Sequence, residues 1–404
     1  MNMMKTANDL GYGSVKAIID DKEIQFPSVF TIEREQDIAS PVEFESKSQK
    51  DEYMKEFLNH MDVTISSSSI KTPGRFLIGQ NAVDQNLPLT HFDINDYAGK
   101  AESDYSLILT LSMIAGAAVE QAYEEGKDLS EPLKVNTRMA AALPVKEGSN
   151  IETKNMYRER YAGSTHQVTF HNFKNPITVT IEFDKVFVAT EGETAQLFIS
   201  TGKDKDLTKK IKEDFDTRYP EMASLVKAED LIQAKNVVSI DIGAGTVDIV
   251  VIVNGKALVS ASYSLSEGYD NALEEALEVI RDKKFNFSSV AELKEFLATK
   301  PSPLSRGRYE AVQKVVYAQL EPFCDRIVIE VSRSVRKAGA TIEVVYVHGG
   351  GSIPMKDQTM LRTKLEDKLK DFNGGQVVPV IWIPKEKAQT LNRDGLEFIV
   401  DHAK

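Results

Sequence analysis

The sequence predicts an α/β protein of two similar domains, each a mixed β-sheet flanked by helices. Three observations lead there. A strand–turn–strand–turn–strand pattern occurs twice, at residues 9–28 and 241–262, and each copy opens with Asp-x-Gly-x-Gly. Segments that alternate apolar and polar residues are interspersed with segments of helical period, as sheets covered by helices require. The chain has 404 residues, too many for one small domain and enough for two substantial cores.

In the first copy, Asp9-Leu-Gly-Tyr-Gly-Ser-Val-Lys leads through Asp20-Asp21-Lys22 into Glu23-Ile-Gln-Phe-Pro-Ser. In the second, Asp241-Ile-Gly-Ala-Gly-Thr-Val-Asp leads through Asn254-Gly255-Lys256 into Ala257-Leu-Val-Ser-Ala-Ser. Asn-Gly between β-rich runs is a strong hairpin signal. Residues 33–69, polar and serine-rich at their end, read as an irregular insertion at a subunit contact. Residues 104–126 read as a long helix whose apolar face turns polar near Glu120. Its most apolar run, residues 107–119, is shorter than the ~20 residues a membrane span needs and reads as buried core. Residues 134–144 read as a buried strand ended by Pro144, and residues 177–188 alternate as a half-buried strand. Charges of both signs over residues 203–214 mark a solvated loop or helix surface. Residues 269–283 and 289–298 are expected to be helical. Residues 309–337 form a long amphipathic helix that Pro322 should kink or divide. Cys324 falls in it as a small core residue. Residues 342–347 form a strand that runs into Gly349-Gly350-Gly351-Ser352.

Composition narrows the function. The chain carries 49 Lys+Arg against 61 Asp+Glu, a net charge of -12, which argues against direct nucleic-acid contact and against an anionic membrane surface. A single cysteine excludes an internal disulfide framework and a zinc site built on several cysteines. The first residues have no apolar signal-peptide region, and a cytoplasmic location is expected. The histidines are scattered, and His166 and His171 do not suggest a metal site. Arg333, Arg336 and Lys337 read as a solvated helix end.

The glycine motifs carry the chemistry. A tight glycine turn between strands aims backbone N–H groups at one point and makes an anion nest. Gly11, Tyr12 and Gly13 form one such turn; Gly243, Ala244 and Gly245 form the other. Ser14 and Thr246 add hydroxyl donors, and Lys16 offers a point charge to a phosphate. Asp9 and Asp241 end the preceding strands. Two carboxylates facing a polyphosphate suit a magnesium ion that keeps most of its waters. Gly349, Gly350, Gly351 and Ser352 let the backbone approach a flat ligand or a phosphate, or form a flexible turn; His348 beside them reads as structural. Glu191, in Thr190-Glu191-Gly192, lies at a strand end. There it either aligns a water for attack on a terminal phosphate or serves a helix N-terminus through the helix dipole. No Walker A loop, Ser-His-Asp signature or zinc motif is legible.

Taken in order, these motifs resemble those of the actin–sugar kinase–heat-shock chaperone superfamily. Within it, Phe26-Pro-Ser28, Phe76-Leu-Ile-Gly79, Ala141-Ala-Leu-Pro-Val145 and Val188-Ala-Thr-Glu-Gly192 resemble the bacterial actin-like plasmid-segregation proteins, the ParM/StbA/Alp group. That group usually shows Gly-Leu-Pro and often Pro-Glu-Gly where this chain has Ala142-Leu143-Pro144 and Thr190-Glu191-Gly192. The resemblance implies the actin-like ATPase fold with a nucleotide cleft between its two domains. Domain I would comprise residues 1–188 plus 385–404 and carry the phosphate 1 loop. Domain II, residues 189–384, would carry the phosphate 2 and adenosine motifs. The segment from Leu391 to Leu396 resembles the final crossing helix. ATP, with GTP as the alternative, would be held by Gly11, Tyr12, Gly13, Ser14, Lys16, Gly243, Ala244, Gly245, Thr246, Gly268, Gly349, Gly350, Gly351 and Ser352. Asp9 and Asp241 would hold magnesium through water, and with Glu191 they form the expected catalytic set.

The function implied is a polymerising ATPase that assembles head to tail into dynamic filaments for plasmid DNA segregation, with hydrolysis driving disassembly. Its partners would be its own copies and a DNA-binding adaptor on a centromere-like plasmid site, so that it reaches DNA indirectly. A small-molecule kinase of the same fold is the alternative. A chaperone-like ATPase would carry a separate peptide-binding domain after the ATPase, and that reading is set aside.

Overall fold

The chain folds as two units, residues 1–194 with 392–404 and residues 195–391. The computed structural model describes residues 3–85, 87–93 and 99–403.

The first unit is built on one mixed sheet. Its strands are β1 (Met4–Leu10), β2 (Ser14–Ile19), β3 (Lys22–Pro27), β4 (Val29–Glu33), β5 (Asp62–Ser66), β6 (Arg75–Ile78), β7 (Thr90–His91), β8 (Leu133–Leu143), β9 (His166–Phe170) and β10 (Ile177–Thr190). They lie in the order β3-β2-β1-β8-β10-β9-β5-β6-β4-β7. β1, β8 and β10 are mutually parallel, so their carboxyl ends, near Asp9, Leu143 and Thr190, emerge on one edge of the sheet. β1 is buried at all but one position, as a central parallel strand should be. The β2–β3 turn puts Asp20 and Asp21 at φ 47° and 69°, the paired positive values of a type I′ hairpin, and the Lys5 amide donates to the Asp20 carboxylate at 2.8 Å.

The helix Asp104–Glu124 is buried on nearly every side. Leu107, Ile108, Leu111 and Ile114 have no exposed surface, and each such side chain withdrawn from water stabilises the unit by about 1.5–3 kcal/mol. Thr110 accepts hydrogen bonds from Asn8 (2.9 Å) and Tyr161 (3.3 Å), which satisfies a hydroxyl that would be costly alone. The helix does not turn polar at Glu120. That residue is 3% exposed, pairs with Lys22 at 2.6 Å, and burial raises its carboxyl above the usual range. Nor are residues 33–69 irregular throughout. They contain the helix Lys47–Lys55, capped by Ser46, and β5, which joins the sheet between β9 and β6.

The second unit repeats the plan on a smaller sheet. β11 (Val237–Ile242), β12 (Val247–Val253), β13 (Lys256–Ala257), β15 (Val344–His348) and β16 (Val380–Trp382) run in the order β13-β12-β11-β15-β16, and β14 (Tyr263–Leu265) also pairs with β12. β11, β15 and β16 are parallel. Asn254 (φ 53°) and Gly255 (φ 75°) make a second type I′ turn. The third strand of this copy is two residues long, because the chain leaves the sheet for a short 3₁₀ turn at Val259–Ala261. The helices Tyr269–Asp282 and Arg306–Ala338 pack Leu273, Ala276 and Ile280 into a core with Val316, Leu320, Phe323 and Ile327. Pro322 does not divide the second of these, which runs unbroken to Gly339 in the left-handed conformation. Cys324 is buried in this core as a small packing residue, and burial pushes its thiol up to about 12.

The chain leaves the first unit within the helix Glu193–Thr201 and returns at the start of the helix Leu391–His402. Asn392 Oδ1 accepts from the Gly192 amide (3.0 Å) and the Thr194 hydroxyl (2.9 Å). Leu396 and Val400 pack on Ala7, Ile18, Ala140 and Ala142 of the sheet.

Candidate functional site

Each unit gathers its motifs at the carboxyl ends of its parallel strands, the edge where open α/β sheets bind ligands.

In the first unit β1 ends at Asp9 and Leu10, and the chain turns through Gly11, Tyr12 and Gly13 into β2. The Gly11 amide donates to the Ser14 carbonyl (3.1 Å) and closes the turn. Ser28 buttresses it from outside. Its hydroxyl donates to the Gly11 carbonyl (2.6 Å) and its amide to that of Gly13 (3.3 Å). The antiparallel register sets Lys16 opposite Asp9, and the ammonium lies 3.9 Å from Asp9 Oδ2. Glu191 follows β10, and its amide donates to the Leu143 carbonyl at 2.9 Å, so its position is fixed by the neighbouring strand end. Its side chain is buried and ion-paired, at 2.6 Å, with Lys100. The same ammonium sits 4.5 Å from the centre of the Tyr12 ring. Burial alone would lower the Lys100 ammonium. The carboxylates of Glu191 and Asp9 and the Tyr12 hydroxyl outweigh it and raise the group above its ordinary value.

In the second unit Asp241 and Ile242 end β11, and the turn Gly243–Gly245 is closed by the Gly243 amide donating to the Thr246 carbonyl (2.9 Å). The Thr246 hydroxyl donates to Asp248 at 3.1 Å. Gly268 lies against this turn so closely that a Cβ would meet the Ala244 carbonyl oxygen at 2.3 Å. The next two amides, of Tyr269 and Asp270, donate to the Gly243 and Ala244 carbonyls (3.0 and 2.9 Å), which ties the start of a helix to the loop. β15 delivers Gly349, Gly350, Gly351 and Ser352 beside the same turn. The Gly351 amide donates to the Ile242 carbonyl (2.8 Å), and the Ser352 hydroxyl to that of Gly349 (2.8 Å). The indole of Trp382 donates to the Ser352 carbonyl (3.0 Å). His348 is buried, 2.8 Å from Ser239 Oγ, with its other nitrogen 3.8 Å from Asp241.

The expected residues therefore form two clusters. Asp9, Gly11, Tyr12, Gly13, Ser14, Lys16 and Glu191 belong to the first. Asp241, Gly243, Ala244, Gly245, Thr246, Gly268, Gly349, Gly350, Gly351 and Ser352 belong to the second. Among the described residues no group of three or more His, Cys, Asp or Glu side chains is arranged for direct metal chelation. His166 is instead a core residue bonded to Ser67 (2.7 Å) and the Tyr161 carbonyl (2.8 Å). Sequence reasoning missed Lys100, because no motif links it to Glu191, 91 positions away. It noted Ser28 only as part of Phe26-Pro-Ser28, not as the support of the first loop.

Two family models match the chain. "Actin like proteins N terminal domain" matches residues 7–193, and "Archaeal actin homologue MreB-like, C-terminal" matches residues 239–360. No curated protein matches the chain in sequence. Among solved structures, the actin-like protein Alp7A is similar with a TM-score of 0.65 at 17% identity, over 98% of this chain and 95% of that one. The archaeal actin homologue Ta0583 gives 0.60 at 19% identity over 99% and 100% of the two chains. ParM of Bacillus thuringiensis, solved with ATP, gives 0.56 at 16% identity over 98% of each. These likenesses establish the fold. Each unit thus carries a match to an actin-family model, and the chain has the actin-like fold.

Proposed function

We propose that the chain is a nucleotide-dependent polymerising ATPase that forms dynamic filaments for plasmid DNA segregation. The observation that carries this reading is the duplicated loop. Each unit places an aspartate next to last in a central strand, paired in parallel on one side, and follows that strand with a closed glycine turn. Such turns suit the phosphates of a nucleoside triphosphate. Related support comes from similar proteins. Ta0583 was solved with ADP, and the Bacillus thuringiensis ParM with ATP, ADP and AMPPNP.

In this reading the amides of loop 11–14, with Lys16, bind phosphate, and so do the amides of loop 243–246. Gly268 and Gly349–Ser352 would present their backbone to the nucleoside. Asp9 and Asp241 would each offer magnesium hard oxygen donors from near a strand end, through the waters of the ion. When bound, magnesium would neutralise charge on the phosphate oxygens. Glu191 orients the attacking water. The water oxygen bonds to the terminal phosphorus as the bond from that phosphorus to the bridging oxygen breaks, and the water protons pass to the released phosphate and solvent.

Subunits carrying nucleoside triphosphate assemble head to tail through heterologous contacts, which extend as open filaments when the rotation does not close. Hydrolysis weakens the contacts. The net charge of -12 suits a filament that meets DNA through a basic adaptor in the cytoplasm. Sedimentation with ATP-magnesium tests the reading. Pelleting above a threshold concentration, reversed as phosphate is released, supports it. A soluble chain that transfers phosphate to a small acceptor instead points to the kinase alternative.

A further inference from the structure

The role of Glu191 requires a carboxylate held in one place, and the structure contains a device that does this. We infer that Lys100 is the positioning residue for Glu191, an inference that rests on the hydrolytic reading above. Lys100 is 1% exposed and its ammonium is 2.6 Å from Glu191 Oε1. An ammonium is costly to bury, and a buried ion pair is often no more stabilising than apolar side chains of the same volume. Stability alone therefore gives little reason for this pair beside the first phosphate loop.

The backbone around Lys100 is anchored from three sides. The Glu147 carboxylate accepts from the amides of Lys100 (3.1 Å) and Ala101 (2.8 Å). The Ser106 hydroxyl donates to the Lys100 carbonyl at 2.7 Å. Arg160 donates to the carbonyls of Ala101 and Ser103, at 2.9 Å each. Gly99 completes the arrangement. It has φ 61°, and a Cβ there would fall 2.5 Å from the Glu147 carboxyl carbon, so only glycine admits that carboxylate beneath the turn. From this seat the side chain reaches Glu191 and the Tyr12 ring together, and so joins the loop to the carboxylate.

The test measures ATP hydrolysis by the full chain carrying Lys100→Met, Lys100→Arg or Glu147→Gln, and by Lys100→Met in a Glu191→Gln background. Lys100→Met should lower kcat by about tenfold or more while KM changes by less than about threefold. Lys100→Arg should recover part of kcat. In the Glu191→Gln background Lys100→Met should cost less than about twofold more, because the residue it positions is already disabled. If Lys100→Met does not fold, Glu147→Gln decides, with the same fall in kcat at constant KM expected from a loosened Lys100. Equal losses in both backgrounds, or unchanged kcat in a folded variant, overturn the inference alone. A wild-type chain that binds ATP without hydrolysing it overturns the hydrolytic reading, and this inference with it.

Discussion

Gly349 lies so close to Asp241 that a Cβ at position 349 would fall 2.2 Å from Asp241 Oδ1. The glycine run 349–351 and Asp241 are thus one packed unit, held further by the Gly351 amide on the Ile242 carbonyl. Gly349 also has φ 90°, where a side chain adds about 1–3 kcal/mol of strain. Gly349→Ala should therefore displace Asp241 and weaken magnesium-dependent nucleotide binding by about tenfold or more, measured by titrating a fluorescent nucleotide. Unchanged affinity would separate Asp241 from the metal.

Asp241→Asn removes the charge and keeps the shape. Binding without magnesium should stay within about threefold of wild type, while the gain that magnesium normally brings should be lost. An undiminished response to magnesium would take Asp241 out of the site.

Glu191→Gln should preserve nucleotide binding and slow hydrolysis by about 100-fold, within the range that a positioned acid–base group contributes. Filaments of this variant should outlive those of wild type. The isostere is preferred to alanine, which would leave the buried Lys100 ammonium with too much vacant space beside it. Phosphate release at the wild-type rate would assign water positioning to another residue.

Acid should destabilise the first unit through its histidines. His166 Nε2 faces the Tyr161 carbonyl and so carries the proton, which leaves Nδ1 to accept from the Ser67 hydroxyl. Burial holds His166 below the ordinary imidazole value of about 6.5, and His60 and His171 likewise. With the folded-state value depressed, the unfolded chain binds protons first. Stability is then complete above about pH 6.5 and is lost as pH falls through the folded-state values. Urea midpoints should drop between pH 7.5 and 5.5, and His166→Gln should flatten that drop. A pH-independent difference between the two proteins would contradict the assignment.

Both hairpins and the glycine runs were legible because short motifs carry their own geometry: Asp20-Asp21 and Asn254-Gly255 adopt the positive φ that their turns demand. The long core helix was equally plain from its apolar run. Where the sequence misled, tertiary partners were responsible. Glu120 looks like a polar helix end, yet Lys22, from a hairpin almost a hundred residues earlier, lets it be buried. β5 alternates only briefly, and it is a strand because β6 and β9 flank it. Lys100 is one lysine in a polar stretch, and nothing local announces that Glu147, Arg160 and Ser106 fix its backbone beside Glu191.

The measurement that tests the central claim most directly is light scattering against protein concentration, with ATP-magnesium, with GTP-magnesium and without nucleotide. The account predicts a sharp critical concentration with one of the nucleotides, followed by decay of scattering as phosphate appears. Flat scattering at every concentration, with nucleotide bound, would contradict it.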